Sequence, residues 1–281
     1  MNVSKWKIAI IVAGAVVVLL GWAGVQIGPR WYMLHRLYSV PEMAERIAVI
    51  PTELDLASVP MPQGKTCHVG FAEFMVPNAS RVDLEASGSG TAVLGQSDTL
   101  NFGIMPPHDP RSTERMAELQ SLANELPPGD PMREAMANGA SLDFLVQIQK
   151  MKPVSTWDAL RMDPTEFQIY MGLLIQKGGN GLGSTAVHTF STPTARGMVE
   201  VGMEAGDTSI AFVSFENPTG RVAVGFRALL PNGATGDVRD VLVPLIKTFR
   251  FTVDAIGSKE EVRRLIAGAG ITPLRQDQEK R

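Results

Sequence analysis

Cysteine is almost absent: Cys67 stands alone in 281 residues, so no internal disulfide can staple the fold, and the redox compartment is left open. Its expected role is that of a small buried apolar side chain in a strand, with a reactive thiol as the sharper alternative. A basic excess is also lacking. The 26 Lys and Arg against 29 Asp and Glu leave a net charge of −3, without the electrostatic footprint of a nucleic-acid binder. No G-x-S-x-G elbow occurs. The four histidines, His35, His68, His108 and His188, form no HxH or HxxxH pair. A metal site from His68, His108 and His188 therefore requires the fold to gather them, and Cys67 and His68, adjacent in a strand, point to opposite faces. The glycines of 178–183 follow a helical pattern instead of opening one, which suits a helix terminator and not a phosphate cradle. No cofactor is expected. Glu114, Arg115 and Glu118 read as a solvated helix face, with no paired carboxylates.

Against these absences stands one long apolar run, residues 8–27, without a charged side chain. About twenty such residues in a helix cross a hydrocarbon core of about 30 Å with every backbone group satisfied internally. Ile8, Val12, Val16, Leu20, Trp22 and Ile27 are the expected lipid-contacting residues of a single-pass anchor. Trp6 on one side and Trp31 and Tyr32 on the other suit the two interfacial belts. Residues 1–7 form a short head carrying Lys5 and Lys7 without an acid, which favours a cytoplasmic head and an extracytoplasmic body. The rival reading is a signal peptide cleaved after Ala23, with a secreted body. No cysteine follows the run, so a lipoprotein anchor is excluded.

Beyond the anchor, residues 28–65 read as a connector punctuated by Pro51, Pro60 and Pro62, with one helical turn near Pro41. An α+β domain is expected over 66–254: an antiparallel sheet flanked by helices, with a helical insert. Residues 67–76 read as its first strand, 79–90 as a loop, and 91–94 with 99–105 as a hairpin turning at 95–98. Asp109 is expected to cap a helix through Met116, Leu119, Leu122 and Leu126, and Ser141 another over 142–151. Asp163-Pro164-Thr165-Glu166 opens a helix reaching about Lys177. The methionines of this insert, among them Met132, Met136, Met151, Met162 and Met171, read as core packing, or as a soft partner groove. Strands over 184–191, 197–205, 208–216 and 221–230, joined by very short turns, form an antiparallel meander. Asp237 caps a helix in which Pro244 predicts a kink or an early end. Ser258 opens a short helix within residues 255–281, whose tail from Gln276 is polar.

Phe71-Ala-Glu-Phe74, Pro77, Phe102-Gly-Ile-Met-Pro106, Arg221-Val-Ala-Val-Gly-Phe-Arg227 and Phe249-Arg-Phe251, with Leu242 and Ile246, follow one another in an order that resembles the PsbP-like family. The resemblance covers about residues 70–253, departs at the long insert of 131–182 and at Pro244, and implies a mostly non-enzymatic, partner-binding domain. The functional expectation is an anchored extracytoplasmic domain that binds membrane lipid through 8–27 and another envelope protein through its body. Two alternatives stand beside it: an anchored hydrolase using His108, Asp109 and His188, and a carrier of an apolar ligand between sheet and insert.

Overall fold

The four-strand meander expected after residue 183 forms the centre of the fold. The computed structural model describes residues 27–109, 121, 124, 133, 141–178, 183–204, 208–231 and 236–273. The protein is α+β. Strands β7 (Gly183–Ser191), β8 (Arg196–Glu204), β9 (Thr208–Glu216) and β10 (Ala223–Leu229) pair antiparallel in sequence order. Asn217 makes the last turn rigid, its side-chain oxygen accepting from the backbone N–H of Arg221 and Val222, with Gly220 at φ 66°.

The sheet continues from β10 through β6 (Asn101–Ile104), β5 (Val93–Ser97) and β4 (Val82–Ala86). A two-residue strand lies at each edge, β1 (Thr52–Glu53) beside β7 and β12 (Thr272–Pro273) beside β4, which makes nine strands among the described residues. Both edge pairings are parallel, so the sheet is mixed and not purely antiparallel. A separate three-stranded sheet holds β2 (Gly64–His68), β3 (Ala72–Pro77) and β11 (Arg250–Phe251).

Three local expectations are corrected. The strand expected over 67–76 is a hairpin, because Gly70 at φ 84° turns the chain between β2 and β3. The loop expected over 79–90 contains β4, whose alternation is masked by its acids at the exposed positions. The next hairpin turns at 98–100 instead of 95–98: Gly95 belongs inside β5, where a Cβ would lie 2.0 Å from the Phe102 ring. Inside the connector of 28–65 lie a helical stretch at 27–38 (α1), α2 (Pro41–Ala48) and β1.

The chain divides into two compact units. The larger comprises residues 49–151 and 180 onward. One face of its nine-stranded sheet meets the small sheet, α6 (Val238–Thr248) and α7 (Lys259–Gly268) over a phenylalanine-rich core. Helix α6 runs through Pro244 without an end. The carbonyl deprived of its partner by that proline is Asp240's, four residues back on the exposed first turn, where water can reach it. Ser258 caps α7 through the Glu261 N–H, and the Glu261 carboxylate accepts from Gly257 in return.

The smaller unit joins 27–48 to 152–178. It contains α1, α2, a six-residue helix α4 (Thr156–Arg161) and α5 (Pro164–Gly178); α3 (Ser141–Lys150) precedes α4 in the chain and belongs to the larger unit. Asp163 caps α5 as expected, its carboxylate accepting from Thr165 and Glu166 at 2.8 and 2.9 Å. Helix α4 was not anticipated, although Ser155 three residues before Asp158 is its capping signal. Tyr38 and Tyr170 meet through their hydroxyls at 3.4 Å, and burial holds the Tyr38 phenol well above its ordinary pKa.

Among the described residues no helix is long and apolar enough to cross a membrane. Of the apolar run only Ile27 is among them, so the anchor expected over 8–27 falls outside the described residues except at its last position. The Asp109 helix falls almost wholly outside them too, as do the glycines of 179–182 and the tail from residue 274.

Candidate functional site

Opposed residues in a sheet point to the same side. The register therefore defines what the face away from the core presents. Two rows cross four strands there: Leu229, Asn101, Gln96 and Asp83 in one, and Arg227, Gly103, Leu94 and Glu85 in the other. The rows are about 7 Å apart, and three inter-strand steps of about 4.8 Å separate Arg227 from Glu85 by about 14 Å. Between them lies a groove of about 350 Å³.

Its walls differ in charge. Asp83 and Glu85 on β4 supply two carboxylates, and Asp83 is steered by Arg81 at 2.8 Å. Arg227 stands at the other end with its guanidinium over the Phe212 ring, 5.8 Å from the centroid. The amides of Gln96 and Asn101 lie between, and Gly103 leaves the floor low. The Asn101 Oδ1 is buried and has no hydrogen-bond partner among the described residues. An acceptor in that state costs the fold about 1–3 kcal/mol. The groove thus suits an extended polar segment that presents donors toward β4 and an acceptor toward Arg227.

The same sheet face bears a second cluster where α3 crosses β8 and β9. Arg196 bridges Asp143 of α3 at 3.0 Å and Glu216 of β9 at 3.2 Å, the latter carboxylate only 1% exposed. Burial disfavours the Arg196 charge, and the two carboxylates outweigh it, so its pKa is raised. Gln149 on α3 donates to the buried Glu200 at 3.3 Å. These contacts hold the helix to the sheet.

The site residues expected from sequence are scattered by this register. His108 pairs with Ala223 through both backbone bonds and lines a pocket of about 170 Å³ with Ser214 and Glu216. His188 lies opposite Val199, on the core side of the sheet. The row His108, Ala223, Glu216, Arg196, Ser191 puts four inter-strand steps, about 19 Å, between the two histidine strands. They do not meet, and Asp109 stays beside His108 in the chain. His68 pairs instead with Glu73 at 2.8 Å. Among the described residues no three His, Cys, Asp or Glu side chains gather as a metal site. Cys67 is buried, and that burial pushes its thiol up to about 11, which keeps it protonated and unreactive. The groove residues escaped sequence reading because Asp83 and Glu85 stood in an expected loop; their i, i+2 spacing around Leu84 was the available signal.

His188 has a measurable consequence. Its Nδ1 lies 2.8 Å from the Thr52 hydroxyl of β1, and its Nε2 is buried without a partner among the described residues. Burial, with the Arg239 charge second, holds its pKa below the ordinary 6.5. The unfolded chain then takes up a proton that the folded one refuses, so stability falls as pH drops below that value. The urea midpoint of the wild-type chain is expected to fall between about pH 7.5 and 5.5, and His188→Gln to flatten that interval. Parallel curves for the two chains would remove the assignment.

No family model matches the chain, and no curated protein does. One solved structure is similar over part of its length: the crystal structure, at 1.50 Å resolution, of a protein from Bacteroides thetaiotaomicron VPI-5482. The identity is 12%, the match covers 68% of this chain and 50% of that one, and the TM-score is 0.29. The chain thus spans about half of that protein's length, and a likeness at this level carries no argument.

Proposed function

We propose that the protein is a single-pass membrane protein whose extracytoplasmic α+β body binds a polar segment of another envelope protein. The observation that carries the binding role is the groove across β4, β5, β6 and β10, with carboxylates on one wall, Arg227 on the other and the amide of Gln96 between. The anchor rests on the charge-free run of 8–27 and on the short basic head before it. Kinship with the PsbP-like family belongs to the same proposal. It is supported by the closing strand β10 followed by α6 and the Phe249-Arg250-Phe251 segment that supplies β11.

The test is photo-crosslinking in cells from Leu94, which is 47% exposed in the groove, with Met61, 68% exposed, as the control position. A discrete adduct with an envelope protein from position 94 alone, lost when Asp83→Asn and Glu85→Gln are combined, is the expected result. Equal adducts from both positions, or none, would end the groove assignment. Hydrolysis of an ester by the purified protein, abolished by His108→Gln, would replace the whole reading with the hydrolase. Protease added to intact cells and to spheroplasts checks the side of the membrane, and a mature mass lacking residues 1–23 would select the secreted form.

A further inference from the structure

Trp157 is 71% exposed, more than any other large apolar side chain described as exposed. It lies at the second position of α4, in the small helical unit, far in sequence from the anchor. Resting on the membrane-anchor reading, we propose that Trp157 is an interfacial residue: α4 lies at the headgroup level of the bilayer, and the indole inserts there.

The geometry that points to this is the hold of Arg30 on α4. Its guanidinium donates to the carbonyls of Met162 at 2.5 Å and Leu160 at 3.4 Å, and stacks over the Phe167 ring at 5.2 Å. Arg30 is three residues beyond Ile27, where the apolar run ends, about 4.5 Å of helical rise. Each interfacial layer of a bilayer is about 5–8 Å thick, so whatever Arg30 holds lies within or beside that layer. Trp157 is one helical turn before Leu160.

The surroundings match the zone. Trp31 and Tyr32 on α1 are 50% and 60% exposed, and Ile27 and Met33 are exposed with them. Lys152 and Arg161 on either side of Trp157 are exposed cations suited to lipid phosphates, while the Asp158 carboxylate is engaged by the Ser155 hydroxyl at 2.6 Å. A large amphipathic ring left in water gains nothing; at the headgroup level its apolar body and its N–H are both accommodated.

The experiment uses the full chain reconstituted into phosphatidylcholine–phosphatidylglycerol vesicles, in three versions that each keep one tryptophan and replace the other three by Phe. The chain keeping Trp22 reports the anchor through a lipid brominated near the middle of its acyl chains. The chain keeping Trp31 is the interfacial standard, read with a lipid carrying a nitroxide on its headgroup. In the chain keeping Trp157, the headgroup nitroxide is expected to quench emission as strongly as in the Trp31 standard, with a blue-shifted maximum. The difference between wild type and W157F gives the same reading without the triple replacement. Quenching of Trp22 by the brominated acyl chains without headgroup quenching of Trp157 would overturn the inference and leave the anchor standing. No quenching of Trp22 would overturn the anchor and this inference together.

Discussion

Phe249→Ala is expected to cost about 3–5 kcal/mol of folding stability, the upper range for a core aromatic truncation. Phe249 follows α6 directly and is 0% exposed. Its ring stacks on Phe215 of β9 with centroids 3.8 Å apart, lies parallel to Phe74 of β3 at 5.9 Å and meets Phe251 edge-on at 5.3 Å. One side chain therefore touches both sheets. Its backbone is held as well, since its N–H bonds Ile246 and its carbonyl accepts from Thr194. Truncation removes the transferred apolar area and leaves a cavity among rings that cannot collapse without leaving their stacks. Against a total of about 5–15 kcal/mol, the loss is large. Urea unfolding of the full chain in micelles is the measurement, with Phe249→Leu expected to cost less than about 1.5 kcal/mol because it keeps most of the volume. A cost for Phe249→Ala below about 2 kcal/mol would mean that the two sheets are joined by something else.

The second large effect is expected at Gly70→Ala, by a different route. Gly70 sits at φ 84°, which alone costs an L-residue about 1–2 kcal/mol. A Cβ built there would also lie 2.2 Å from the Leu265 carbonyl oxygen of α7. That atom is backbone and cannot rotate away, so the helix must shift, and Val262 and Ile266, both 1% exposed, lose their packing. The Thr252 hydroxyl donating to the Gly70 carbonyl at 2.7 Å resists movement of the turn. A cost on the order of 4 kcal/mol follows when strain and clash are combined. Gly90→Ala separates the two terms: φ is 69° there, but the nearest side-chain atom, Arg263 Cγ, is 3.5 Å away. Equal destabilisation of the two variants would show that the wall at α7 contributes nothing.

Much of the fold was legible wherever local chemistry decides structure. The meander followed from turns too short for any other connection, and the caps at Asp163, Asp237 and Ser258 from side chains that satisfy helix N–H groups within three residues. Where tertiary contacts decide, the sequence was silent or misleading. Gly95 looks like a turn residue until Phe102 is seen to need its space. Asp83 and Glu85 look like loop residues until β5 supplies their partners. Thr52 and Thr272 belong to edge strands of two residues, below the length at which periodicity has meaning. The groove was illegible for the same reason: its polar side chains come from four strands, and only the register sets them in rows. His108 and His188 show the converse, since residue types suited to chemistry were placed on opposite faces of one sheet.

The acceptors of Arg30 lie 130 and 132 residues further along the chain. At translation rates of about 5–20 residues per second, roughly ten seconds pass before the ribosome has made them. In an anchored chain, the apolar run has by then left the ribosome, and residues 27–38 wait beside the bilayer without the carbonyls that Arg30 holds and the Tyr170 hydroxyl that Tyr38 meets in the finished unit. Completion of that unit is thus a late event of biogenesis. A factor that shields Leu34 during the interval would act on a side chain that the mature protein buries.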